Sequence, residues 1–439
     1  MLKKIDLRKR CVDEIKDILK ERSQKDLSEY RKVARDIIED IKKRKDKALF
    51  AYTARFDKVE LDASTVKVTQ AEIERAVQEV DDKFLNALKK AAQNIEEFHE
   101  HQKESSWQKQ SCPGKITGQI CRPLAKAGIY VPGGRAAYPS SVLMTAIPAK
   151  VAGVKEVVMV TPPGKEGRLN PEILAAAQVA GVDSIYKVGG AQAVAALAYG
   201  TESIPKVDIV VGPGNIYVTM AKELVFGQVK IDMTAGPSEV LVLADGQAEP
   251  AYIAADLMSQ AEHDPLASSI LVTNSADLGP KVEKEIEKQI KDLKKKDIIK
   301  ESLTNYGLLI EVENIKSGIE AINQIAPEHL ELAVEKPFDL LPEIKNAGSI
   351  FLGEYTPEPI GDYYAGPNHV LPTEGTARFF SPLSVRDFVK YSSFIYYSRE
   401  ALKEVSDDVI TLAEGEGLTA HANSIKIRKE SIEDDVNGN

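Results

Sequence analysis

Over the first hundred residues apolar side chains return every three or four positions, the period of a helix with one buried face. Val12, Ile15, Ile18 and Leu19 share one such face, and Val33, Ile37, Ile38 and Ile41 share another. Thr69 with Glu72 three residues on has the form of a capping box and predicts a helix through Ala76, Val77 and Val80. A longer helix follows, with Phe84, Leu85, Leu88, Ala92, Ile95 and Phe98 inward. His99 and His101 are expected in solvent at its polar end.

From about residue 115 the period shortens. Ala127–Val131, Glu156–Val160, Ser184–Val188 and Asp208–Val211 are short apolar runs, each closed by a Gly- or Pro-rich turn and followed by a helical stretch. Asn170 before Pro171 predicts a capped helix start. Strand, turn and helix repeated in this way predict βαβ units and a parallel sheet. A second α/β stretch spans residues 238–380, with buried strands at Glu239–Leu243 and Ser269–Val272 and one amphipathic helix over 281–298 carrying Val282, Ile286, Ile290 and Leu293. From Leu383 a helical portion leads to a polar tail expected to fray.

Composition narrows the class. With 43% apolar and 28% charged residues in 439, the chain is globular and long enough for two or three domains. The net charge of −10 argues against a general nucleic-acid binder. Cys11, Cys112 and Cys121 are odd in number and form no CxxC pair, so reduced, mostly structural thiols are expected. The N-terminus has no apolar segment of signal-peptide type, and the most apolar stretch, 140–160, is broken by Pro148, Lys150 and Lys155. A cytoplasmic protein that binds neither membrane nor nucleic acid is expected.

Candidate chemistry sits in a few segments. Gly189-Gly190-Ala191-Gln192 and Gly212-Pro213-Gly214-Asn215 only partly match a dinucleotide fingerprint; ordinary strand-to-helix turns are the better reading of these residues alone, and they permit a dinucleotide without requiring one. Gln260 and His263 are three residues apart at a predicted helix end, a spacing that suits two metal ligands or a plain helix cap. Glu328 and His329 offer a carboxylate beside an imidazole able to act as base near neutrality. Asp362 and His369 lie in a turn-rich loop, where Asp362 is a possible oxygen ligand and His369 a possible structural residue. Glu416 and His421 stand among small residues that suggest close approach of another surface. Gln, His, Asp and His would suit zinc or a similar divalent ion, but spacing does not show that they meet.

Ile231–Glu239, Gln260–His263, Pro327–His329, Gly361-Asp362, Gly366–His369, and Glu416 with His421 together resemble the motifs of the histidinol dehydrogenase family, in order over residues 26–425. The resemblance implies one Zn2+ per subunit on Gln260, His263, Asp362 and His421, His329 as general base and Glu328 as the activator of water. It implies substrate contacts from Ser238 and Glu416 along with Glu328, His329 and the zinc ligands, and NAD contacts from Tyr130, Gln192 and Asn215. L-histidinol would pass through bound L-histidinaldehyde to L-histidine with two NAD+ and one water. The implied architecture is α/β with two incomplete Rossmann-like domains, one inserted in the other, plus helical arms. Those would be an N-terminal arm at 1–25, a larger domain at 26–128 and 237–381, an inserted NAD-contacting domain at 129–236, and a C-terminal arm at 382–439. Family members are homodimers, so Glu416 and His421 would complete the partner's site. A dehydrogenase of another small polar alcohol, a zinc hydrolase and a non-catalytic binder are the rival readings. The Glu328–His329 pair weighs against the last, since a pure binder has no use for it.

Overall fold

Buried parallel strands read as unbroken apolar runs, because helices cover both faces. The computed structural model, which describes residues 2–8, 27–133, 138–234 and 236–437, shows this arrangement twice. In chain order the strands are β1 (Lys3–Asp6), β2 (Trp107–Cys112), β3 (Lys115–Pro123), β4 (Lys126–Tyr130), β5 (Glu156–Val160), β6 (Ser184–Tyr186) and β7 (Ile209–Val211). They continue with β8 (Lys230–Ile231), β9 (Glu239–Ala244), β10 (Ser268–Thr273), β11 (Leu308–Glu311), β12 (His329–Ala333), β13 (Ser349–Leu352) and β14 (Val389–Tyr397).

A five-stranded parallel sheet has the order β6-β5-β4-β7-β8, and a six-stranded parallel sheet the order β1-β11-β10-β9-β12-β13. Leaving out the edge strand β1, both run third-second-first-fourth-fifth in their own sequence, the order of a dinucleotide-binding sheet. All five strands of the smaller sheet fall in the chain between β1 and β9. Alternate side chains of each strand enter opposite layers. In the larger sheet Leu241, Leu243, Ile270 and Val272 pack toward helix Ile315–Ile325, while Val240, Val242 and Leu271 pack toward Pro250–Ala261 and Leu278–Gln289. In the smaller sheet Ile129, Val157 and Met159 face helices Pro139–Val151 and Pro171–Val179, while Tyr130, Val158 and Val160 face Gly190–Tyr199 and Ile216–Val225.

Local signals act as expected. Thr69 and Glu72 form a complete capping box on Gln70–Glu79, and Asn170 caps Pro171–Val179. Two expectations are overturned. The single helix over 281–298 is two, Leu278–Gln289 and Lys296–Tyr306, separated by a 3-10 turn and an extended Leu293. The lysine-rich stretch between Lys291 and Lys296 supplies too little apolar surface to carry one helix across. His99 is fully buried rather than solvated: its Nδ1–H donates to the Ile95 carbonyl at 2.7 Å, and Asn368 Nδ2 approaches Nε2 at 3.4 Å. His101 is exposed. The helix expected on Val12, Ile15, Ile18 and Leu19, with Cys11, lies outside the described residues.

The chain forms two compact units, residues 1–102 with 124–388, and residues 103–123 with 389–439. Both parallel sheets belong to the first. The second holds the antiparallel sheet β14-β3-β2 and the helices Arg399–Gly415 and Thr419–Asn437. Residues 103–123, expected in the larger domain, group with the C-terminal segment because β3 pairs along its whole length with β14. Among the described residues no helix is long and apolar enough to cross a membrane.

Candidate active site

The site begins where three strands of the larger sheet start. Helix Ile315–Ile325 ends at Ala326, whose left-handed φ of 55° stops it. Pro327 cannot continue a helix, so the chain turns through Glu328 into β12, which opens at His329. Gly348 is required alongside, since a Cβ there would lie 2.5 Å from the Glu328 carbonyl oxygen. The parallel register sets His329 between Val240 of β9 and Ser349 of β13.

The backbone N–H and C=O of one residue, Glu239, orient both side chains of the pair. The Glu239 N–H donates to Glu328 Oε2 at 2.8 Å, and His329 Nδ1 donates to the Glu239 carbonyl at 3.0 Å. Nε2 of His329 is therefore the free ring nitrogen. It is buried with no hydrogen-bond partner among the described residues and lies 3.7 Å from Asp362 Oδ1 and 4.0 Å from Glu358 Oε1. His329, Asp362, Phe351, Ile360 and His369 line a cavity of about 110 Å³. Burial pushes the Glu328 carboxyl up to about 8. Burial also pulls the His329 imidazole down, but the carboxylates of Glu328, Glu358 and Asp362 outweigh it and hold the ring well above the usual histidine range.

The second half of the site is a ligand cluster. Helix Pro250–Ala261, with Pro250 at its first position and Glu249 as cap, buries Ile253, Ala254, Leu257 and Ala261 on one face and carries fully buried Gln260 in its last turn. His263 lies beyond the helix rather than on it, in a turn closed by its N–H to the Gln260 carbonyl at 3.2 Å. Glu358 and Asp362 are four residues apart on the short helix Glu358–Tyr363, so both project from one face. Ligand atoms of His263, Glu358 and Asp362 all lie within 4.8 Å of one another. The Gln260 amide satisfies its neighbours only with its nitrogen toward Glu358, donating to Oε1 at 3.0 Å and Oε2 at 3.3 Å. That orientation turns its carbonyl oxygen away from the carboxylate. Surrounding protein holds the His263 imidazole below the usual range, which favours the neutral, ligating form even though the residue is exposed at its outer side. Nitrogen and carbonyl or carboxylate oxygen at this spacing fit a borderline divalent ion such as zinc.

Glu358 is the residue that sequence reasoning missed. Its signal was the pair of carboxylates spaced four apart after Pro357. His369 holds the neighbouring loop, donating from Nδ1 to the Asp362 carbonyl at 3.0 Å. Ser238 sits half-buried just before β9. Glu416 and His421 belong to the second compact unit, where both are exposed: Glu416 ends helix Arg399–Gly415, and His421 lies in the first turn of Thr419–Asn437.

The smaller sheet carries a different site at the opposite, C-terminal ends of its strands. Its order reverses between β4 and β7, the point where open α/β sheets bind ligands. Tyr130 ends β4, buried, its hydroxyl accepting from the Gly190 N–H at 3.0 Å and pushed up to about 12 by burial. Gln192, in the first turn of Gly190–Tyr199, is 1% exposed, and its Oε1 has no hydrogen-bond partner among the described residues. Exposed Asn215 caps Ile216–Val225 through Oδ1, accepting from Tyr217 and Val218 N–H at 3.0 and 3.2 Å. An orphaned buried acceptor at a helix start between two Gly turns fits a dinucleotide. Residues 232–238 alone join this edge, at the end of β8, to the starting edge of β9. Seven residues span at most about 25 Å, and Ser141 Oγ, in the helix that follows β4, lies 3.4 Å from Nε2 of the cavity residue His369.

A dinucleotide-type sheet beside a buried acid–base pair and a nitrogen/oxygen ligand cluster has the parts of a metal-assisted dehydrogenase. Comparison with known proteins makes the class specific. The family model for histidinol dehydrogenase matches residues 20–429. The histidinol dehydrogenase of Caldanaerobacter subterraneus subsp. tengcongensis is 60% identical over 98% of this chain and 99% of that protein, and that of Clostridium acetobutylicum 59% identical over 93% and 95%. The crystal structure of histidinol dehydrogenase from Elizabethkingia anophelis matches with a TM-score of 0.91 at 38% identity, covering 98% of this chain and 99% of that one. The chain belongs to the histidinol dehydrogenase family.

Proposed function

We propose that this protein oxidises L-histidinol, through bound L-histidinaldehyde, to L-histidine, using two NAD+ and one water, as the closing steps of histidine biosynthesis in the cytoplasm. The observation that carries the reading is the buried Glu328–His329 pair, oriented by the backbone N–H and C=O of Glu239 and facing the His263–Glu358–Asp362 cluster.

His329 is the general base. With Nδ1 committed to the Glu239 carbonyl, Nε2 of the unprotonated ring takes the proton of the alcohol, and later that of the aldehyde hydrate. Glu328, held by Oε2, presents its other oxygen to the water that adds to the aldehyde. Gln260, His263 and Asp362, with His421 of a second subunit, would hold one zinc ion per subunit, and Glu358 fixes the Gln260 amide with its oxygen free to ligate. Zinc would supply a template for the substrate's imidazole and amino nitrogens. Tyr130, Gln192 and Asn215 would hold NAD+, which supplies the hydride acceptor. Ser238 and Glu416 would contact the substrate. The buried walls around His329 keep bulk water from the reactive aldehyde.

Glu416 and His421 would serve the site of a second copy in a homodimer. The second compact unit exposes Ile395 at 73% and Leu412 at 71%, apolar surface suited to a second copy. Gly415 and Gly417 beside them have open space where a Cβ would stand.

The test is NADH formation from L-histidinol and NAD+ before and after chelation, with product analysis. Two NADH per histidine, lost on chelation and restored by zinc, is the expected result. No NADH from folded, zinc-loaded protein would reject the substrate, and activity without NAD+ would point to a hydrolase.

A further inference from the structure

Lys222 and Asp232 form an ion pair inside the smaller sheet's helical layer, with Nζ 2.5 Å from Oδ1 and side chains only 4% and 1% exposed. Taking two charges out of water is costly, and two apolar side chains would serve packing alone as well or better. Val218, Val225 and Val229, all buried nearby in chain and core, show that this layer is otherwise apolar. The pair does something that apolar residues cannot. Lys222 Nζ donates to the Gly212 carbonyl at 2.9 Å, and the Gly212 N–H donates to Asp232 Oδ2 at 2.8 Å. Both polar groups of one peptide-bearing residue are thereby tied, immediately after β7 ends at Val211.

Gly212 is a demanding position. Its φ is +112°, and a Cβ there would stand 2.2 Å from the Tyr130 carbonyl oxygen. The turn therefore lies directly against the end of β4. It leads through Pro213 and Gly214 to Asn215, the cap of the helix on which Lys222 sits two turns later. A closed loop results: turn, helix, lysine, and back to the turn. Asp232 adds the start of the 232–238 connection, whose far end reaches Glu239, whose N–H and C=O orient Glu328 and His329.

We propose that the Lys222–Asp232 pair is a positioning device that holds the Gly212–Asn215 turn in register with Tyr130 for NAD+; this rests on the NAD+ assignment above. The pair touches no reacting atom. It fixes the backbone that presents Asn215, so its loss is felt in cofactor binding before chemistry.

The test uses full-length, zinc-loaded protein. The double substitution K222M/D232L removes both charges and keeps bulk; D232N, close in size to the native residue, is read in the same way if the double variant does not fold. Calorimetric NAD+ binding without histidinol is measured beside KM for NAD+, KM for histidinol, kcat and thermal unfolding. Folded variants should bind NAD+ roughly 10-fold more weakly and show a matching rise in its KM, with kcat and histidinol KM changed less than about twofold. Asn215→Ala and Gln192→Ala run in parallel. If these weaken NAD+ binding and the ion-pair variants do not, the proposal fails and the NAD+ assignment stands. If neither Asn215→Ala nor Gln192→Ala changes NAD+ binding, the assignment fails and takes the proposal with it.

Discussion

His329 commits Nδ1 to the Glu239 carbonyl, 3.0 Å away, and that contact leaves Nε2 as the nitrogen able to take the proton in the proposed reaction. Replacing it with asparagine should slow both oxidations by roughly 10²–10⁴-fold, the usual range for loss of a general base. Glu328→Gln should separate the two steps, slowing oxidation of supplied histidinaldehyde far more than that of histidinol. Equal losses would remove the water-activating role. The Glu328 carboxyl, pushed up to about 8 by burial, acts as a base only when ionised. The aldehyde step should therefore gain rate as pH rises through about 8, and E328Q should lose that gain. Glu358 makes a different kind of contribution, accepting from the Gln260 amide at 3.0 and 3.3 Å. Glu358→Gln should weaken zinc binding by about 10–100-fold, as loss of ligand-orienting contacts does, read by competition with a chelator. Unchanged affinity would leave Glu358 with no part in orienting the ligand. The sequence singled out Glu328, His329, Gln260, His263 and Asp362 by type and company. Glu358 escaped because its neighbours are ordinary and its importance is wholly a matter of what it touches.

Elements were legible wherever local chemistry sufficed. The Thr69–Glu72 box closes both of its reciprocal hydrogen bonds, and Thr69→Ala should cost about 1 kcal/mol, measurable in denaturant unfolding with activity unchanged. The short apolar runs became strands because helices cover both of their faces, which an apolar run by itself predicts. The break between Leu278–Gln289 and Lys296–Tyr306 was missed because the apolar period nearly carries across it. What decided there was the lack of core to bury against. His99 departs from its sequence expectation for a related reason: a polar residue near a helix end belongs in solvent unless another segment arrives to pair with it. Asn368, 269 residues away in sequence, does so.

For the whole molecule, two sheets of the same strand order use opposite edges. The smaller offers the C-terminal ends of its strands, at the order reversal between β4 and β7, and the larger offers the starts of β9, β12 and β13. Residues 232–238 leave one edge and enter the other, so connectivity keeps the proposed cofactor site and the proposed acid–base site within about 25 Å of each other at this link. Dimer formation with exchange of Glu416 and His421 is testable in the same spirit. Subunits carrying His329→Asn and subunits carrying His421→Asn, each inactive alone, are unfolded together and refolded. Shared sites predict recovery of about a quarter of native activity, since half the dimers are mixed and each has one intact site. No recovery from well-folded mixtures would place His421 in its own subunit's chemistry or in none.

By itself the sequence determined the class of elements, the parallel character of the main sheets, the caps, and the residue types able to bind a metal or move a proton. These follow from period, turn chemistry and side-chain pKa, all of which act locally. Tertiary structure decided the rest. It set the backbone N–H and C=O of Glu239 against Glu328 and His329, turned the Gln260 amide by means of Glu358, buried His99, and locked Gly212 between Lys222 and Asp232. Each of these joins segments distant in the chain. Their energies come from burial and from satisfying polar groups cut off from water, which no local pattern records.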